Sequence, residues 1–396
     1  MLSFLLKLRT RAQHLFRLSD THTMLVWSVV VGVAGAFATI AFREGIALLQ
    51  LATVGKAGSF VEMARSLPWT VRVWLPAAGG LIAGFFLLIA QRHVDKSNHI
   101  DYMEAVAIGD GVVPVKLSLW RSVSSLFTIS SGGSIGREGP MVQLAALAAS
   151  LIGRLVHFDP PRLRLLVACG AAAGITSAYS APIAGAFFVT EIVLGSIVME
   201  SFGPVVVSAV VANITMREFT SYKPPYEMPV FPPVAGAEVL LFVALGLICG
   251  AAAPQFLRLM DLSKANFRKL PLPLPIRLAL GGLVVGILSV WTPEVWGNGY
   301  SVVNSILHSP WTWTALVLVL VFKIVATSAT VGSGAIGGVF TPTLFVGAVV
   351  GCLFGQGMHA LWPHGTSAPF AYAMVGMGAF LAGATQAPLM AILLIF

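Results

Sequence analysis

Long stretches without charge constrain this chain more than any other feature. Met24–Phe42 carries no charged residue, and Trp313–Ala329 carries only Lys323. At 1.5 Å rise per residue, about 20 apolar residues cross the roughly 30 Å hydrocarbon core of a bilayer. Only 10% of the 396 residues are charged, against about 25% in soluble domains. That is too few to cover a water-facing globule, and the mean hydropathy of +0.87 agrees. The expected fold class is an all-α polytopic membrane protein. A β-barrel is excluded, because the runs are continuously apolar and do not alternate.

The net charge of +8 would suggest nucleic acid in a soluble protein. Here the basic residues lie between apolar runs, as at a cytoplasmic membrane face. No nucleic-acid-binding motif accompanies them. Cys169, Cys249 and Cys352 are far apart, and neither they nor the eight histidines have metal-ligand spacing. Residues 1–22, with Lys7, Arg9, Arg11 and Arg17, read as a cytoplasmic amphipathic segment. They lack the cleavage site of a signal peptide.

The chain repeats itself. Gly79-Gly80-Leu81 recurs as Gly281-Gly282-Leu283, 202 residues later. Gly132–Gly136 recurs as Gly334–Gly337, with Gly136 and Gly337 201 apart, and Ala181-Pro182 recurs as Ala387-Pro388, 206 apart. Three matches in one order at nearly one offset mark a duplication. It divides the chain into half-repeats at 23–217 and 238–396, joined by a linker at 218–237. Loop charges suggest that the halves are inverted. Gln91–Glu104 holds Arg92 and Lys96, whereas its counterpart Pro293–Pro310 holds no Lys or Arg. Arg258–Arg277 holds five basic residues, as expected of a cytoplasmic loop. Inverted repeats place a substrate site between broken helices near the midplane. The second half stops at Phe396, where the first continues through Glu191 and another helix. A helix ending inside a bilayer leaves carbonyls unpaired, so the sequence is expected to lack one or two last helices.

Two glycine-rich elements carry the chemistry. Gly136-Arg137-Glu138-Gly139-Pro140 precedes an apolar helix, and Gly332–Pro342 does the same in the second half. Glycines ahead of a helix let amide hydrogens and the positive end of the helix dipole face an anion. Glu138 can place its own carboxylate in such a site and leave on protonation, acting as gate or proton carrier. It can also simply cap its helix, with Arg137 beside it. The second element has no basic side chain, so its donors would be backbone amides, those of Val339 and Phe340. It can equally serve as a helix-packing glycine cluster.

Gly136–Pro140 resembles the GREGP signature of the CLC channel and transporter family. Gly332–Pro342 resembles its GSGxPGGxFxP element, with Ile336 in place of proline, and Gly297-Asn298-Gly299-Tyr300 also fits. The resemblance runs from about Leu25 to Phe396. It implies the CLC fold and a homodimer with one chloride pathway per subunit. Glu138 would be the gate, and Ser97, Gly136, Arg137, Glu138, Gly139, Val339 and Phe340 the anion-site residues. It implies a multi-pass protein of a bacterial inner membrane in contact with lipid. No cofactor, enzyme activity or nucleic-acid partner is implied, and no hydrolase motif is present.

The sequence also departs from the family. Ser97 keeps its distance of 41 residues to Glu138, but the glycines and proline around it are gone, so an ordinary helix N-cap is the alternative. Ile192 stands where the family's exchangers carry an inner proton-handling glutamate. That leaves channel and proton-coupled exchanger both open, with Glu191 either a substitute or a water-facing carboxylate. Tyr300 and Tyr372 do not match the family's pore tyrosine. Nucleotide regulation through a C-terminal cytoplasmic domain is not expected. Pro140 favours chloride over fluoride; transport of fluoride or nitrate, or an inactive fragment, are the other readings. Arg121, 17 residues before Glu138, either raises the pore potential or anchors the chain. Lys323 is expected at a helix end or in an ion pair.

Overall fold

The computed structural model describes residues 20–93, 100–196, 198–220, 224–234 and 236–396. Most of residues 1–22, and Ser97, lie outside them. The chain runs through α1 (Asp20–Val54), α2 (Phe60–Ser66), α3 (Trp69–His93), α4 (Tyr102–Ala107), α5 (Val115–Ser130), α6 (Glu138–Leu155), α7 (Pro160–Tyr179), α8 (Pro182–Phe188) and α9 (Met199–Phe219). It continues through α10 (Val239–Lys269), α11 (Leu274–Trp291), α12 (Tyr300–His308), α13 (Trp313–Gly332), α14 (Phe340–Leu361), α15 (Pro369–Thr385) and α16 (Pro388–Ile395). Among the described residues seven helices are long and apolar enough to cross a membrane. Leu240, Leu247, Trp291 and Trp313 are exposed on them, as suits an integral multi-pass membrane protein.

The helices start and stop for local reasons. Proline at the first helical positions opens α7, α8, α15 and α16, where its missing N–H and fixed φ are no handicap. The α7 and α15 helices end on left-handed residues, Ser180 (φ 57°) and Gln386 (φ 60°). These sit immediately before the repeated Ala-Pro pairs.

Glycines fix the register of the duplication. A Cβ on Gly80 would run into the Leu278 carbonyl, and one on Gly282 into the Pro76 carbonyl. These contacts exchange under a shift of 202 residues. Likewise Gly79 lies against the Ser131 side chain and the Phe127 carbonyl, and Gly281 against the Ser333 side chain and the Ala329 carbonyl. Gly84 meets Pro275 and Gly286 meets Val73. Positions rising along α3 thus meet positions falling along α11, so the two equivalent helices are antiparallel and the repeat is inverted. The α3–α11 crossing is backbone against backbone, the use to which small residues are put in membrane helix packing.

At the centre both halves break. The α5 helix gives way to α6 through Ser131–Arg137, and α13 to α14 through Ser333–Val339. Gly132 (φ 97°) and Gly334 (φ 103°) make the left-handed turns, which glycine alone adopts readily. The breaks meet in an antiparallel bridge. Gly136 N–H donates to the Gly338 carbonyl at 2.8 Å, and Gly338 N–H donates to the Gly136 carbonyl at 2.9 Å. Gly136 therefore pairs with Gly338, not Gly337; the aligned glycine runs place the register one residue short, because two adjacent glycines fit equally well.

Gly282→Ala is expected to destabilise the protein by the roughly 1–3 kcal/mol of overpacking, seen as a lower thermal unfolding midpoint in detergent. Gly250→Ala, with nothing within 4 Å of the added methyl, should not lower it. Equal midpoints for the two variants would mean that α3 and α11 do not touch at Gly282.

Candidate functional site

Two residues beyond the bridge, each half begins a helix: α6 at Glu138 and α14 at Phe340. Their positive ends therefore converge on one point. Glu138 is 1% exposed. Its Oε1 accepts the Thr341 backbone N–H at 3.2 Å and the Tyr179 hydroxyl at 2.7 Å. Its Oε2 has no hydrogen-bond partner among the described residues. That oxygen lies against Gly136 and Gly338, where any Cβ would collide with it. The carboxylate thus belongs to the first half but rests on the helix start of the second.

The remaining sequence-predicted residues lie around this point; Ser97 lies outside the described residues. Gly139 packs on the backbone of Gly337 and Gly338, where an added Cβ would be a tight fit. Arg137 is the N-cap residue of α6, and its guanidinium lies 5.2 Å from the centre of the Tyr300 ring. Val339 caps α14 and Phe340 is its first residue. The amide that reaches the carboxylate is that of Thr341, one residue further on.

Several residues of the site escaped the sequence reading. Tyr179 ends α7, Tyr226 follows α9, and Tyr300 opens α12. Their rings pack together, with centroids 5.0 Å apart for Tyr226–Tyr300 and 6.4 Å for Tyr179–Tyr300. The Thr341 Oγ1 lies 3.2 Å from the Tyr179 hydroxyl and donates to the Tyr300 hydroxyl at 3.2 Å. The usable signal was Tyr179 itself, a large polar side chain closing an Ala/Gly-rich helix directly before the repeated Ala-Pro.

Two cavities approach from opposite ends of the α3–α11 pair. One, of about 240 Å³, is lined by Arg137, Trp296, Asn298, Tyr300 and Asn304. The other, of about 500 Å³, is lined by Lys264, Arg268, Arg277 and the loop from Val331 to Gly337, together with Val339. The first is lined by Arg137, the residue before Glu138, and the second by Gly337 and Val339, on either side of the bridge residue Gly338.

Charged residues further out brace the site. Lys323 is not at a helix end, and it has no ion pair among the described residues. It lies in mid-α13, fully buried, and donates to the carbonyls of Val295 (3.1 Å) and Gly297 (2.7 Å) beneath the Phe345 ring. Gly297 in turn donates to the Gly132 carbonyl at 3.1 Å, so Lys323 steadies the loop that leads to Glu138. Glu191 sits in a π-turn, and its carboxylate accepts the backbone N–H groups of Leu389 (3.2 Å) and Met390 (2.7 Å). It caps α16 and so ties the two halves.

Comparison with known proteins places this arrangement. Residues 79–396 match the family described as voltage gated chloride channel. A ClcB-like chloride channel protein of Ralstonia nicotianae is 55% identical over 377 residues, covering 94% of this chain and 88% of that protein. The voltage-gated ClC-type chloride channel ClcB of Escherichia coli K12 is 41% identical over 380 residues, covering 94% and 90%. Among solved structures, a slow cyanobacterial Cl−/H+ antiporter aligns with TM-score 0.82 at 23% identity, over 96% of this chain and 89% of that one. A CLC-type fluoride/proton antiporter aligns with TM-score 0.77 at 23% identity, over 94% and 89%. These two share the fold.

Glu191→Ala is expected to lower stability by about 1 kcal/mol, the usual loss on removing a helix cap, measured as a shift in the detergent unfolding midpoint. Ion flux per folded molecule should stay near the parent's. Loss of flux at unchanged stability would instead make Glu191 part of the transport machinery.

Proposed function

The chain belongs to the voltage gated chloride channel family, and on that premise we propose that it carries chloride across a bacterial inner membrane with Glu138 as the gate. The observation that carries this reading is the carboxylate itself. It sits at the start of α14, held by the Thr341 amide and the Tyr179 hydroxyl, beside Arg137, which lines one cavity, and near Gly337 and Val339, which line the other. In this reading an anion passing from one cavity to the other takes that place. Protonation removes the negative charge that the helix ends and amides hold, the carboxyl is released, and chloride enters. Neutral amide donors then bind the ion without trapping it; Gly136, Arg137, Gly139, Val339 and Phe340 surround the path, and Ser97 is proposed as a further anion ligand.

The functional unit in this reading is a lipid-embedded homodimer with one pathway in each subunit. Residues 23–217 and 238–396 form the half-repeats, 218–237 the linker and 1–22 a cytoplasmic segment. Pro140 after the GREG sequence supports chloride over fluoride. Ile192 supports a channel, whereas the Cl−/H+ antiporter among the structural neighbours supports a second reading, chloride exchanged for protons. Transport is a binding and conduction process here, and no covalent step or cofactor enters.

Glu138→Gln is expected to leave chloride flux into liposomes intact and to remove its dependence on pH. If the variant titrates like the parent, Glu138 is not the gate. In the parent, falling pH should raise flux, since the protonated carboxyl opens. The chloride reversal potential under a pH gradient separates the two readings: a shift signifies proton exchange, and none a channel.

A further inference from the structure

The Tyr179 hydroxyl has two acceptors within reach. Glu138 Oε1 lies 2.7 Å away and Thr341 Oγ1 3.2 Å away. Both acceptors, and Tyr179 itself, are buried: Glu138 is 1% exposed, Thr341 0% and Tyr179 4%. A buried hydroxyl donor left without an acceptor is costly. A gate that simply dropped the Tyr179 hydroxyl on opening would therefore be strongly biased towards closed. Here the donor can turn from the carboxylate to the threonine with its ring unmoved.

We propose that Tyr179 is the latch of the gate, its hydroxyl bonded to the Glu138 carboxylate when closed and to Thr341 Oγ1 when open. This rests on Glu138 being the gate, and it assigns the positioning residue that sets how easily the gate opens. The ring is well placed for the task. It ends α7, is followed directly by the left-handed Ser180, and is packed edge-on to Tyr300 and stacked on Tyr226. The phenol is therefore fixed by packing and only the O–H bond rotates. Thr341 in turn is fixed by α14, and its own hydroxyl donates to Tyr300, which leaves its lone pairs free for the Tyr179 proton. The charged and titratable groups around Glu138 are Arg137 on its own helix, Tyr179 from α7, Tyr226 from the segment after α9 and Tyr300 from α12. The α14 helix contributes Thr341 and no charge.

The latch makes two predictions of opposite sign. Tyr179→Phe removes a hydrogen bond made to the charged, closed form. Since bonds to charged groups are the stronger kind, opening should become about tenfold easier, and the pH of half-maximal chloride flux should rise by about one unit. Thr341→Val keeps the backbone N–H to Glu138 but deprives the open latch of its acceptor, so the half-maximal pH should fall. The measurement is chloride efflux from liposomes between pH 4 and 9 for the parent, both variants, Glu138→Gln and Tyr179→Phe/Glu138→Gln. A shift up for the phenylalanine variant and down for the valine variant supports the latch, provided that the double variant is as flat as Glu138→Gln. Unshifted midpoints, or shifts in one direction for both variants, overturn it even when Glu138→Gln is flat. If Glu138→Gln still titrates, the gate assignment fails first and takes the latch with it. Should Tyr179→Phe not fold, the valine variant decides alone: a fall supports the latch, and no change or a rise overturns it.

Discussion

Inside a bilayer no water is present to bond a stray amide or carbonyl, so backbone that leaves the helix there has to find partners in the protein. This chain leaves the helix twice at its centre, after α5 and after α13. The two breaks answer each other through the pair of hydrogen bonds between Gly136 and Gly338. Much of the site follows from that bridge. It sets α6 and α14 to start two residues beyond it, brings their positive ends together, and leaves between them a hollow that only a negative group fills well. Glycine at both bridge positions is a steric requirement too, because a methyl group on either would occupy the space of the Glu138 carboxylate.

Close approach elsewhere serves the same centre. The antiparallel crossing of α3 and α11 is nearly bare backbone, with Gly80, Gly84, Gly282 and Gly286 in the contact. It holds the cores of the two inverted halves together. On the far side Lys323 binds two carbonyls of the Val295–Gly297 turn, and that turn reaches Gly132 at the start of the first break. The buried Lys323 amine is held by carbonyls and an aromatic face, with no carboxylate among its described hydrogen-bond partners. Glu191 works similarly at the opposite edge, where its charge is absorbed by the amides that open α16.

What the sequence revealed and what it concealed divide along one physical line. Features set by local backbone need were legible: the uncharged spans, the glycine-led helix starts, the paired Gly-Gly-Leu helices, and Glu138 at the head of its helix. The charge difference between Gln91–Glu104 and Pro293–Pro310 gave the inversion that the antiparallel α3 and α11 display. Features set by tertiary approach were not. Tyr179, Tyr226 and Tyr300 come from three separate elements, and nothing in their spacing predicts that they meet over Thr341. That the Thr341 amide reaches the Glu138 carboxylate was hidden for a related reason, since helix phase at the break depends on the turn that Gly334 makes. Lys323 was expected at a helix end or in an ion pair, and Glu191 either as a substitute proton-handling group or as a helix-end carboxylate facing water. Their actual partners are backbone groups remote in sequence, which no side-chain pattern records.

Duplication supplies a symmetric frame, and the chemistry comes from where the symmetry is broken. A shift of 202 residues carries Gly136 to Gly338, Gly132 to Gly334 and Arg121 to Lys323, but it carries Glu138 to Phe340. Two carboxylates facing one another across the bridge would repel, and they would compete for a single set of amides. Two phenylalanines would leave the converging helix ends with no occupant but the transported ion, and no means of closing. One of each gives a site that the protein itself can fill or vacate. The apolar partner, packed against Phe188 at 5.7 Å, borders that site without competing for its charge. With a single carboxylate at the junction, one proton suffices to switch it. The hydroxyl that holds this carboxylate comes from outside the symmetric pair, at the end of α7, where it can act on the glutamate of one half and the threonine of the other.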